Sequence, residues 1–139
     1  MFANIMEGGR ERVPFLEQFV AARNRSLGVI GLSELNGWQA GDLAKFGEKF
    51  GFPHSVFVHA PTGYHLGAIS KVPITVLHST AGLPMHHGVV IFQTADGTVV
   101  VLTHLSPRNS DARLAEASYI VRQLRACCEH LPILVCTSK

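Results

Sequence analysis

Charge is scarce in this chain. Asp, Glu, Lys and Arg make up 16% of its 139 residues, against about 25% in an ordinary globular protein. Much of the chain is therefore expected in an interior or against another surface. The net charge is only +2 with eight His counted as neutral. No block of like charges occurs, so charge alone makes no case for nucleic acid. The stretch holding Arg10, Arg12, Arg23 and Arg25 is mildly basic and reads most simply as a solvated face. Cysteine is also sparse, with Cys127, Cys128 and Cys136. An odd number with one adjacent pair is not a disulfide framework, and a reducing compartment, the cytoplasm or nucleus, is expected. No Cys-x-x-Cys or His-x-x-x-His spacing points to structural zinc. No apolar run reaches the roughly 20 residues of a membrane span, and residues 1–7 lack the order of a signal peptide.

What is present is an alternation of strand and helix patterns. Phe2 to Met6 reads as a strand closed by Gly8-Gly9. Val13 to Asn24 reads as a helix, with Pro14 suited to its first turn. Phe15 with Phe19 and Leu16 with Val20 give it an apolar face at i, i+4 spacing. Leu27 to Leu32 is a second strand, and the strand-helix-strand spacing predicts a parallel βαβ unit. Gly41 to Phe50 is a short helix striped by Leu43, Phe46 and Phe50. Short strands follow at Ser55 to His59, Leu66 to Ser70 and Ile74 to His78. Val89 to Phe92 and Val99 to Leu102 flank Asp96-Gly97, a strong hairpin signal. Both are apolar on both faces and so central and covered. Asp111 to Glu129 is a helix with Leu114, Ala117, Val121, Leu124 and Cys128 on its inner face, capped by Ser110 or Asp111. Pro132 to Val135 reads as a last buried strand.

Three residues stand where ligands bind in α/β proteins, at the carboxyl ends of strands. Glu34 follows the second strand, and a carboxylate there can hold a hard cation such as magnesium. A solvated loop Glu is the plainer reading. Asn4, on the first strand, can orient a ligand or phosphate, or simply cap a turn. His104 ends the strand Val99 to Leu102 and can stabilise developing charge on a phosphoryl oxygen, or be a satisfied core His. The pair His86-His87 is a weak metal candidate, because neighbours on a strand point to opposite faces. Tyr64-His65 can line a cleft or pack a turn. Cys127 and Cys128 lack a partner base and read as packing.

Taken in order, these segments resemble the endonuclease/exonuclease/phosphatase superfamily. Asn4-Ile5-Met6-Glu7-Gly8-Gly9 is similar to its opening N-I-x-x-G-G. Val29-Ile30-Gly31-Leu32-Ser33-Glu34 is similar to its V-I-G-L-Q-E strand, with Gly28 where the family has Asp and Ser33 where it has Gln. Gly67-Ala68-Ile69-Ser70-Lys71-Val72-Pro73-Ile74 resembles G-x-A-I-L-S-R-x-P-I, one residue shorter. Val101-Leu102-Thr103-His104-Leu105 resembles V-x-N-T-H-L. The family then continues P-I-L-V-G-D-F-N. Here Pro132 to Val135 agree, and Cys136-Thr137-Ser138-Lys139 replace the Gly-Asp-x-Asn.

The resemblance implies an α/β fold, the first half of a four-layer sandwich, with a mixed sheet, flanking helices and the second sheet absent. Residues 1–139 would be a partial domain, lacking the Gly-Asp-x-Asn and a final Asp-His. It implies magnesium-dependent hydrolysis of a phosphoester, whether nucleic acid, phosphorylated small molecule or lipid. Glu34 would bind the metal, Asn4 would orient phosphate or metal ligands, and His104 would stabilise the transition state. Alone, the chain would be inactive and would self-associate through an uncovered sheet. The alternative is a non-catalytic interaction protein or splice product that binds a partner through that sheet.

Overall fold

The structure, a computed structural model, describes residues 1–127 together with the backbone of residues 133–138. β1 (Phe2–Asn4) turns at Gly8-Gly9 into α1 (Val13–Arg23), which carries Pro in its first turn, and the chain returns as β2 (Val29–Ser33). β1 and β2 run parallel, with Phe2 opposite Gly31 and Asn4 opposite Ser33. This is the expected βαβ unit. α2 (Ala40–Lys49) opens on a capping box in which the Asp42 carboxylate accepts the Gln39 N–H at 2.8 Å. β3 (His54–Val58) and β4 (Leu66–Ser70) follow, and β4 inserts antiparallel between β2 and β3. The first sheet is ordered β1-β2-β4-β3.

A second sheet comes from the rest. β5 (Ile74–Ala81), β6 (Gly88–Thr94) and β7 (Val99–His104) form an antiparallel meander. The predicted Asp96-Gly97 turn joins β6 to β7, with Gly97 at φ +88° and the Asp96 carboxylate accepting the Thr98 N–H. Bonds from Thr94 and Thr98 hold that carboxyl below its ordinary pKa. α3 (Ser110–Cys127) leads to β8 (Ile133–Ser138), which lies parallel to β7 at the edge. The order is β5-β6-β7-β8.

The α/β class, with mixed sheets and flanking helices, is as expected. The absence of a second sheet is not: this chain carries both sheets of a sandwich. The alternation in β6 and β7 explains how. Val90, Phe92, Val100 and Leu102 face Val58, Leu66 and Ala68 of the first sheet. Val89, Ile91, Val99 and Val101 face the other way, onto Ile120 and Leu124 of α3. α1 and α2 cover the far side of the first sheet through Val20, Leu43 and Phe46. The layers therefore run helix, sheet, sheet, helix. The face expected to stand bare is covered, so association through it is unsupported.

Two helix faces also differ from expectation. Leu124 is buried as expected, but Leu114 and Val121 are exposed, and α3 buries Glu116 and Ile120 beside Leu124. Its amino end is capped by Asn109, whose Oδ1 accepts the Ala112 N–H at 2.8 Å, rather than by Ser110 or Asp111. Cys128, placed on that face from sequence, lies outside the described residues. In α1, Val20 is buried while Phe15 and Phe19 are exposed. Those two rings border a groove of about 450 Å³ along β1. β1 ends its sheet, β8 ends the other, and the two touch, so both sheets stop on the same rim of the sandwich.

Candidate functional site

The sequence expects Asn4, Glu34 and His104 at strand ends, and the fold brings the three together. Asn4 closes β1, Glu34 follows the last residue of β2, and His104 closes β7. Asn4 Nδ2 donates to Glu34 Oε1 at 2.7 Å. His104 Nε2 lies 3.6 Å from the same oxygen. The other oxygen, Oε2, accepts the backbone N–H of Glu7 at 3.0 Å. The carboxylate is thus aimed by the turn after β1, which is itself held: Gly8 donates to the Glu34 carbonyl at 2.7 Å, and Trp38 Nε1 donates to the Gly8 carbonyl at 3.0 Å. Gly8 is required there. Its φ is +81°, and a Cβ would strike the Asn36 carbonyl oxygen.

Backbone strain gathers at this place. Glu34 sits at φ +60°, Met6 at +57°, Glu7 at +51° and Arg10 at +41°. Few non-glycine residues take left-handed values, and such residues cluster where a site overrules local preference.

Glu34 and His104 open onto a cavity of about 910 Å³, lined also by Glu7, Arg10, Arg12, Arg113, Tyr64 and His87; Asn4 reaches it only through its bond to Glu34. Three guanidinium groups, two carboxylates and two imidazoles, with Arg10 paired to Glu7, make a pocket suited to an anionic group near a hard cation. Among the described residues no group of three or more His, Cys, Asp and Glu is arranged to hold a metal ion. Of the two carboxylates that line the cavity, Glu7 is paired with Arg10, and Glu34 has hard oxygens that fit magnesium. That ion keeps several waters and is often held by one or two carboxylates.

No family model matches the chain, and no curated protein sequence matches it significantly. Solved structures do match. The human Nocturnin catalytic domain with bound sulfate superposes with a TM-score of 0.65 at 12% identity, over 92% of this chain and 56% of that one. An AP endonuclease from Archaeoglobus fulgidus gives 0.62 at 13% identity, over 98% and 54%. The 3′ phosphatase NExo from Neisseria, bound to product DNA hairpin, gives 0.62 at 16% identity, over 91% and 52%. The chain has the endonuclease/exonuclease/phosphatase fold. It spans about half the length of the solved structures it matches. No helix among the described residues is long and apolar enough to cross a membrane.

Two residues of this endonuclease/exonuclease/phosphatase fold escaped the sequence reading. β6 begins at Gly88, so His86 and His87 lie in the preceding loop and the strand argument does not govern them. His87 is buried, its ring 4.4 Å from that of His104. Glu116 is also buried, at 2% exposure, where a helix Glu would be expected in water. One of its oxygens accepts the His86 N–H at 2.6 Å and the other the Ser106 N–H at 2.7 Å. It ties together the two loops that carry the cavity's histidine side. Of the pair Tyr64-His65, Tyr64 lines the cavity. His65 packs the turn, accepting the Ala60 N–H and stacking on His59 at 4.2 Å. Cys127 donates to the Gln123 carbonyl within its helix.

Burial above all, then the neighbouring His104 and His86, lowers the pKa of His87 from 6.5 to about 4, against a smaller opposing pull from Glu34. A pH dependence of stability follows. Above pH 6.5 neither folded nor unfolded chain protonates this ring. Between 6.5 and 4 the unfolded chain takes up the proton and the folded one does not, so stability falls with pH. The loss is expected to reach roughly 2–3 kcal/mol by pH 4. Urea unfolding of the parent and of His87→Phe across this range measures it, and identical slopes for the two would refute the assignment.

Proposed function

We propose that this chain is the amino-terminal part of a magnesium-dependent phosphoesterase domain, hydrolysing a phosphoester in a nucleic acid, a phosphorylated small molecule or a lipid. The observation that carries the reading is the pairing of Glu34 and His104 in an arginine-rimmed cavity, with Asn4 bonded to the same carboxylate: Glu34 Oε1 lies 2.7 Å from Asn4 Nδ2 and 3.6 Å from His104 Nε2. Glu34 would hold the ion. When bound, magnesium supplies positive charge to the phosphoryl oxygens. Asn4 fixes the carboxylate by donating to it. His104 donates toward the phosphoryl group as charge develops, and Arg12 and Arg113 draw the anionic substrate in, while Arg10 is paired with Glu7. The positions that would supply a base in the resembling family read Cys136-Thr137-Ser138-Lys139 here. The remaining strands and catalytic groups would join at the rim where β1 and β8 end their sheets.

The test uses bis(p-nitrophenyl) phosphate and the complete domain. Turnover is expected to fall at least about 100-fold in chelator and to return with magnesium. The 139-residue chain alone is expected to be slower by several further orders of magnitude, because members of such a constellation act as a unit. Turnover indifferent to chelation would remove the metal from the reading. A second reading, an interaction protein, draws on exposed Phe15 and Phe19 beside the β1 edge. It gains if the complete domain is inactive under every metal tried.

A further inference from the structure

His87 lines the cavity and yet has an unused hydrogen-bonding atom. The imidazole is 3% exposed, and its Nε2 is buried with no partner among the described residues. Nδ1 is engaged, 2.8 Å from Thr62 Oγ1. The direction of that bond follows the tautomer of the ring. Thr62 Oγ1 also accepts the backbone N–H of Tyr64, at 3.5 Å. That bond uses one of its two acceptor sites and leaves its hydroxyl proton able to point at His87 Nδ1. A neutral imidazole carries one N–H. If Nδ1 accepts, the proton is on Nε2, and Nε2–H is an unpaired buried donor. Such a group is costly, at about 1–3 kcal/mol, and uncommon in folded proteins.

We propose that His87 is a second imidazole contact for the phosphoryl group, donating from Nε2–H to a ligand oxygen that also faces His104 and Glu34. This deepens the phosphoesterase reading and rests on it. Nε2 is buried as the ring stands, so the contact requires a small turn of the ring toward the cavity that His87 lines. Tyr64 stands beside both imidazoles, its ring 5.1 Å from His87 and 6.3 Å from His104. A neutral donor suits the task, because it binds an anionic oxygen without having to gain a proton first. Thr62 acts through His87 as a positioning residue, setting which nitrogen carries the hydrogen.

The probe is inorganic phosphate with magnesium, added to the nitrogen-15-labelled 139-residue chain, with imidazole nitrogens read by long-range proton–nitrogen correlation. The free protein is expected to show His87 as the Nε2–H tautomer. Phosphate is expected to shift that signal together with those of His104. Thr62→Val is expected to release the tautomer preference, a change that simple packing would not produce. His87→Leu is expected to weaken phosphate roughly tenfold or more, and His87→Gln, which keeps a donor, by no more than about threefold. An Nδ1–H tautomer, or a His87 signal unmoved while His104 shifts, overturns this inference and leaves the phosphoesterase reading standing. Phosphate that moves neither histidine overturns both.

Discussion

Replacing Glu34 by Ala in the complete domain is expected to lower phosphodiester turnover by at least about a thousandfold. The carboxylate would be the protein's hold on the ion, and its two oxygens also organise Asn4 and the Glu7 backbone. Ala removes charge and scaffold together, so Glu34→Gln is the sharper variant. Its amide oxygen can still accept one of those bonds, while the negative charge is gone. If the charge holds the metal, the Gln variant loses nearly as much turnover as the Ala variant and needs far more magnesium to reach half-maximal rate. If the residue only shapes the turn, Gln is close to the parent. Steady-state rates over a magnesium titration, with melting curves to confirm folding, separate these outcomes. Wild-type rates in both variants would end the assignment of Glu34 as ligand.

Glu116→Ala is expected to cost about 2–4 kcal/mol of stability, through one buried and one part-buried N–H group left without acceptors at about 1–3 kcal/mol each. Those groups belong to His86 and Ser106, on the two loops that frame the cavity. Relief from burying a charge offsets part of the loss. Glu116→Gln keeps one acceptor and sets an amide N–H against the other donor, so a smaller loss of about 1–3 kcal/mol is expected. Urea unfolding measures both. Losses under about half a kcal/mol for Glu116→Ala would show that water replaces the carboxylate at no cost, and that the two loops hold themselves.

Much of this was legible in the chain because it is encoded locally. Pro14 and Gly8-Gly9 mark the start of α1, Asp96-Gly97 marks the hairpin, and β4 runs from Leu66 to Ser70 as expected. Asn4, Glu34 and His104 could be picked out because a residue just past a buried strand is placed by that strand. The division into two sheets was not local. β4 pairs with β2 and β3 rather than with β5, which follows it after three residues. Nothing in Lys71-Val72-Pro73 says that the chain leaves one sheet there for another. Glu116 was missed because a helix Glu is ordinarily solvated, and its burial depends on loops 30 and 10 residues away. With Glu116 turned inward, Leu114 and Val121 turn out, which rotates the buried face away from the one that apolar spacing suggests, Leu124 being common to both. His87 was passed over because β6 was taken to reach it.

The left-handed residues around the cavity set folding and function at odds. At Glu34, Met6, Glu7 and Arg10 the backbone would be relieved by glycine, since a left-handed L-residue costs roughly 1–2 kcal/mol. A search for stabilising substitutions that scored only the folded chain would rank these four positions highly. It would recommend glycine or asparagine at each. Applied at position 34, that advice would relieve the backbone while deleting the carboxylate that holds Asn4 and the Glu7 N–H. Programmes of thermal improvement on this protein would therefore tend to erode its cavity first, and the four residues are the ones to hold constant while the remainder is varied.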